Sequence, residues 1–231
     1  MSVTDDSRLS TAFDGVGKSM GHEDVRASYN PYKEFKTTWT RIGTCTEFKV
    51  TDYLRGCPPG ILEEFATCLL GRLQVKSHRE KYNENIRTYL KSEEFVSRNR
   101  PLYLARSRNL AYTMRGRHHD LRESYDRLLT SGLLPHIPNT YITWTARPNK
   151  QRLGYCSMLM RTIAVSSSLD RAEIPSFVSD YVLYHEMLHM QEGVTFAGRY
   201  HTDAFKAKEA LYPRAQEAET WLRKSALMVN T

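Results

Sequence analysis

Cysteine is scarce in this 231-residue chain. There are four thiols, Cys45, Cys57, Cys68 and Cys156, and no two are separated by the two-residue gap of a zinc knuckle or a redox dithiol. Four thiols in a chain this long do not make a disulfide framework, so a reducing compartment is the expectation. Long apolar runs are missing as well. No stretch approaches the roughly 18 residues that a membrane helix needs, so no membrane partner is expected. The first ten residues carry Asp5, Asp6 and Arg8 and have no apolar centre, which argues against a signal peptide. These absences together point to a soluble, cytoplasmic protein. No internal repeat and no low-complexity tract interrupts the chain.

What is present supports a packed core. Hydrophobic residues make up 40% of the chain, which excludes wholesale disorder. The net charge is +7, with a pI near 9.2. A basic surface attracts nucleic acid and other acidic partners, but charge alone names none of them.

The organisation follows from periodicity. Residues 1–30 are polar and contain Gly15, Gly17 and Gly21, so they read as a flexible arm. Residues 35–53 are rich in Thr, aromatics and Val, and strands are expected there. Pro58-Pro59-Gly60 breaks the chain. After it, Ile61, Leu62, Phe65, Leu69 and Leu73 recur at helical spacing. Residues 76–100 read as helix with a solvated face. Asp120 is placed to cap a helix carrying Leu121, Tyr125, Leu128 and Leu129. The period then changes: residues 141–145, 153–158 and 161–166 read as strands, the last two as a hairpin. Pro175 opens a helix that Gly193 terminates, and further helices are expected from Thr202 or Asp203 and from Ala215. Strands followed by helices suggest an α+β fold, with a small sheet beside the helix that ends at Gly193. The division expected is 1–30 as arm, 31–135 as a mixed, mainly helical region, and 136–231 as the core that carries the chemistry.

That helix holds His185-Glu186-Met187-Leu188-His189. Residues four apart lie on one face of an α-helix, so the two imidazoles are presented to one point. This suits two ligands of a zinc ion, Zn2+. Glu186 projects beside the first ligand, where a carboxylate can take a proton from water that zinc has made more acidic as it attacks a carbonyl. A chance H-E-x-x-H in a chain of this composition is on the order of 2%, low enough to treat the motif as a site. A catalytic zinc needs a third protein ligand. His201 is the preferred one, because a loop through Gly193 and Gly198 can return the chain; Glu192 and Glu209 are its rivals.

The residues around the motif resemble the SprT-like and YgjP-like metallopeptidases. Trp144, Arg147 and Arg152 precede Leu153-Gly154-Tyr155-Cys156; the apolar run Thr162-Ile163-Ala164-Val165 follows; then comes Asp180-Tyr181-Val182-Leu183-Tyr184 leading into the motif; and His201 stands before Phe205-Lys206. The likeness runs from about residue 144 to 213. It implies a compact zincin-like core, zinc on His185, His189 and His201, Glu186 as general base, and a protein or peptide substrate. The first 130 or so residues match no family on sequence pattern. The cysteine-rich ribbon that often follows SprT domains is not found here.

Weaker signals are assigned more modest roles. Ala12-Phe13-Asp14-Gly15-Val16-Gly17-Lys18-Ser19 fits a loose phosphate-loop pattern but lacks a buried strand before it. Cys57, in Arg55-Gly56-Cys57-Pro58, is expected to be a buried turn thiol; the alternative is a thiolate that blocks the zinc. His118-His119 reads as a surface pair, with an accessory metal site as the alternative. Among Tyr155, Tyr200 and Tyr212, Tyr200 is the candidate donor to the developing oxyanion. Residues 98–122 are arginine-rich, and Arg106, Arg108, Arg115 and Arg117, with Tyr103 and Tyr112 interleaved, form a candidate contact for DNA. The reading is therefore a zinc endopeptidase, with DNA as a candidate partner. The alternative is a non-enzymatic nucleic-acid module with a structural zinc.

Overall fold

The computed structural model describes residues 4–74, 82–193 and 201–227. Contacts divide the chain into two compact units, Met1–Asn99 and Arg100–Thr231.

The first unit begins with helix α1 (Asp5–Ser19) and strand β1 (Asp24–Asn30). Where a flexible arm is expected, the described residues 4–30 instead carry a helix and a strand. The cause is a narrow apolar stripe, Leu9, Ala12 and Phe13, that a polar average conceals; all three are buried. Thr4 caps the helix by accepting from the Ser7 N–H, and Asp5 and Asp6 sit in its first turn, where the dipole favours them. Gly17 has a packing role: a Cβ there would lie 2.5 Å from Val25 Cγ2, so only glycine lets α1 approach β1 this closely. The phosphate-loop look-alike lies inside α1 and has none of the strand–loop–helix context that phosphate binding needs. Strands β2 (Thr37–Ile42) and β3 (Cys45–Thr51) complete a sheet of order β1-β3-β2, with β1 parallel and β2 antiparallel to β3. Helices α2 (Pro59–Gln74) and α3 (Glu84–Lys91) follow, and the boundary between units falls within α4 (Glu93–Arg106).

The second unit carries α5 (Leu121–Thr130), capped by Asp120, and three short strands: β4 (Tyr141–Trp144), β5 (Gly154–Ser157) and β6 (Thr162–Val165). The order is β4-β6-β5, with β4 parallel and β5 antiparallel to the central β6. Every residue of β6 is buried, which explains its continuous apolar run. Helix α6 (Ser176–Glu192) packs on this sheet and is buried on most of its circumference. Gly193 ends it with φ 73°, a conformation that glycine adopts without strain. Helices α7 (Asp203–Glu209) and α8 (Ala215–Leu227) pack against α6.

The second unit starts earlier than residue 136. Residues 111–114 run beside β4: the Ala111 N–H donates to the Trp144 carbonyl, the Trp144 N–H to the Thr113 carbonyl, and the Trp144 indole to the Met114 carbonyl at 2.8 Å. Leu121 and Leu128 of α5 join the same core, and Arg127 grips the buried Asp180 of α6 through two contacts of 2.8 and 2.9 Å. No periodic pattern marks residues 107–120, so their attachment is a tertiary fact. Asp170 organises the next turn, accepting backbone N–H bonds from Arg117, His118 and His119. Burial raises its proton affinity, but these three donors and His119 outweigh that and hold the carboxyl below its usual range.

Candidate metal centre

His185 and His189 lie one turn apart on α6, with ring centroids 4.9 Å apart. His201 stands just before the Thr202 cap of α7. Its Nε2 lies 3.3 Å from His185 Nε2 and 3.0 Å from His189 Nε2. The three rings share a floor, the fully buried Phe205, at centroid distances of 5.2, 4.5 and 5.0 Å for His185, His189 and His201. Thr202 accepts from the Phe205 N–H, so the α7 cap fixes both His201 and the floor.

The donor set fits a divalent metal. Three neutral imidazole lone pairs converging at 3.0–3.3 Å repel one another unless a cation lies between them. Two nitrogens bound tetrahedrally at 2.0–2.1 Å are about 3.4 Å apart, close to this spacing. His189 resists protonation: burial, followed by the charges of His185 and His201, pushes it down to about 4. Neutral imidazole is the form that binds metal. Among the described residues, His185, His189 and His201 are the one group of three or more His, Cys, Asp or Glu placed to hold an ion.

Of the rival ligands, Glu209 has a different place. Its Oε1 lies 2.6 Å from His185 Nδ1, on the side of the ring away from the cluster. A carboxylate there accepts a hydrogen bond from the Nδ1–H and leaves the Nε2 lone pair facing the other histidines. Tyr181 donates to Glu209 at 3.1 Å, with Glu219 3.3 Å from the same hydroxyl, and Tyr184 ties α6 to α7 by donating to the Lys208 carbonyl at 2.6 Å. Glu192 lies 4.0 Å from Lys208 Nζ, outside the histidine group. Glu209→Gln is expected to weaken metal affinity about 10–100-fold, the usual cost of losing such an outer partner. Competition titration with a coloured chelator measures this; unchanged affinity refutes the role.

Glu186 is 6% exposed. Burial pushes its carboxyl up to about 8, and the nearby Arg152 charge pulls it down only in part. It can lie so deep because β5 begins with glycine: a Cβ on Gly154 would stand 2.5 Å from Glu186 Oε1 and 2.8 Å from its Cγ. Glu186 and the three histidines line one cavity of about 420 Å³, closed on the β5 side by Tyr155 and Cys156. Burial, then the negative charge of Glu186, raises the Cys156 thiol well above its ordinary value.

The structure thus brings together His185, Glu186, His189 and His201. Tyr200 lies outside the described residues. Arg106, Arg108, Arg115 and Arg117 do not line the cavity. The last three are exposed in the irregular segment after α4, as is Tyr112, but Tyr103, within α4, is 1% exposed and has no face for a base. Cys57 is buried, and that burial pushes its thiol up to about 11, the state of a packing thiol. Tyr212 donates to the Phe177 carbonyl at 3.0 Å, a packing role. The His118 and His119 backbones serve Asp170, and neither residue belongs to a metal-ligating group among the described residues. Sequence reasoning missed three features: Gly154 as the space for Glu186, Phe205 as the floor, and Glu209 as the partner of Nδ1. Only Gly154 carried a signal, since glycine in a strand often marks close approach.

The family model for the YgjP-like metallopeptidase domain matches residues 66–225. The match begins well before residue 144, in α2. No curated protein and no solved structure gave a match.

Proposed function

The chain belongs to the YgjP-like metallopeptidase family, and from that premise we propose that it is a zinc endopeptidase whose metal is held by His185, His189 and His201 and whose general base is Glu186. The observation that carries this reading is the convergence of the three Nε2 atoms with a buried carboxylate on one cavity. Zinc, when bound, supplies a Lewis acid that polarises the scissile carbonyl and acidifies water. The chain does the rest. Glu209 holds His185 in the tautomer that offers Nε2. Phe205 keeps the rings aligned. Glu186, made more basic by burial, takes a proton from the attacking water on its carboxylate and delivers it to the leaving amine nitrogen.

A structural zinc in a non-enzymatic module is the competing reading. A closed site needs four protein ligands. Among the described residues the candidate group has three, and it opens on a cavity large enough for substrate, which favours catalysis. A DNA-associated form of the same activity rests on the exposed Arg108, Arg115 and Arg117 with Tyr112. A cytoplasmic location is the proposal that goes with four free thiols. No helix among the described residues is long and apolar enough to cross a membrane.

Metal analysis coupled to a casein assay tests the proposal. One zinc per chain is expected, with cleavage abolished by a chelator and restored by zinc. Single- or double-stranded DNA, added at low salt where electrostatic binding is strongest, tests the DNA-associated form. Cleavage that survives complete removal of metal would overturn the zinc mechanism.

A further inference from the structure

Peptide hydrolysis as described leaves one charged group of the cavity without a task. Among the described residues that line it, Arg152 supplies the one permanent positive charge. The guanidinium lies 4.8 Å from the Tyr155 ring centroid, a cation–π placement that limits its freedom. Its backbone is anchored from behind. The Arg152 N–H donates to Asn149 Oδ1 at 3.0 Å, and Asn149 is itself held by Ser166, whose hydroxyl accepts from the Asn149 N–H at 2.8 Å and donates to the Asn149 carbonyl at 2.6 Å. Yet Arg152 is exposed while lining the cavity, so its guanidinium is accessible from solvent.

Two roles suit such a residue. It can tune Glu186, or it can bind substrate. Arg152 lowers the proton affinity of Glu186 through space, but no ion pair joins them among the described residues, and the carboxyl stays high. Tuning is therefore a weak use of it. A guanidinium held against an aromatic ring keeps parallel N–H donors ready for a carboxylate, the geometry in which arginine binds most selectively. The net charge of +7 attracts the same class of substrate over longer range.

We propose that Arg152 recognises a carboxylate on the substrate, so that the site favours peptides bearing an acidic side chain or a free C-terminus beside the scissile bond. This rests on the peptide-hydrolysis reading above. The two sources share one chemistry, and four peptides separate them: Glu or Gln beside the cleaved bond, each as free acid and as C-terminal amide. Values of kcat/KM are measured with the zinc-loaded protein. Dissociation constants are measured in parallel with zinc-loaded Glu186→Gln, which reads binding without turnover. At least about a ten-fold preference for one carboxylate arm is expected, a typical effect of a charge-assisted pair. In Arg152→Gln that ratio is expected to fall to near one, and Arg152→Lys to restore part of it. A Glu preference assigns the contact to a side chain and keeps the endopeptidase reading; a free-acid preference assigns it to the chain end and makes the activity that of a carboxypeptidase.

Equal kcat/KM and equal affinity for all four peptides overturn the inference and leave peptide hydrolysis standing. A uniform loss on all four in Arg152→Gln, with a shifted pH profile, also overturns it, because that is the signature of tuning. If no peptide is cleaved, the proposed function fails, while the affinities still decide whether Arg152 reads a carboxylate.

Discussion

Glu186→Gln is expected to keep its zinc and lose about 10²–10⁴-fold in kcat/KM, the range general acid–base catalysis contributes. The substitution removes the proton acceptor and changes little else. Glutamine has nearly the same volume, which matters in a pocket where the side chain is 6% exposed and only 2.5 Å separates its Oε1 from the place a Gly154 Cβ would occupy. It also relieves a folding cost. A carboxyl pushed up to about 8 has a folded pKa above its unfolded value, so the metal-free protein loses stability as pH rises from the unfolded value through 8. The neutral variant is free of that loss. Metal-free Glu186→Gln is thus expected to match or exceed the parent in Tm near pH 8 while remaining inactive when loaded with zinc. Zinc content, Tm and peptide cleavage measured on one preparation check all three points. Activity within ten-fold of the parent rules out Glu186 as the base.

Gly154→Ala is expected to lower activity by roughly 10²-fold, the cost of displacing a catalytic group by about an ångström. The backbone at Gly154 does not have positive φ, so alanine brings no conformational strain there. Its methyl group instead meets Glu186 and Val182, at 2.5 and 2.9 Å, and the flexible carboxylate is the easier of the two to move. The three histidines lie elsewhere on α6 and before α7, so zinc affinity is expected to persist. A double-mutant cycle separates this account from general damage. If Gly154 acts through Glu186, alanine at 154 costs little more once Glu186 is glutamine. Additive losses would mean that Gly154 matters for another reason.

How much of this was legible depends on the range over which each feature is determined. The cap at Asp120, the β5–β6 hairpin and the stop at Gly193 were all visible, because each is set by a few neighbouring residues. The α1 stripe was hidden because Leu9, Ala12 and Phe13 are outnumbered by polar neighbours, and a helix needs only one apolar face. The early start of the second unit was hidden because residues 111–114 attach to β4 by single backbone bonds without a strand pattern. Tyr103 looked available for stacking only because sequence does not report which side of α4 is covered.

The metal site divides along the same line. Sequence alone determined the His185–Glu186–His189 arrangement, since the 3.6-residue turn of a single helix places residues four apart on one face whatever surrounds them. It also nominated His201, but among rivals. Tertiary structure alone decided that His201 meets the other two, that Glu209 stands behind His185 rather than within the histidine cluster, and that β5 approaches α6 closely enough to require glycine at 154. Each of those outcomes depends on the packing of α6 against β5 and α7. Such distances arise from the whole core and are not encoded in the spacing of any short segment.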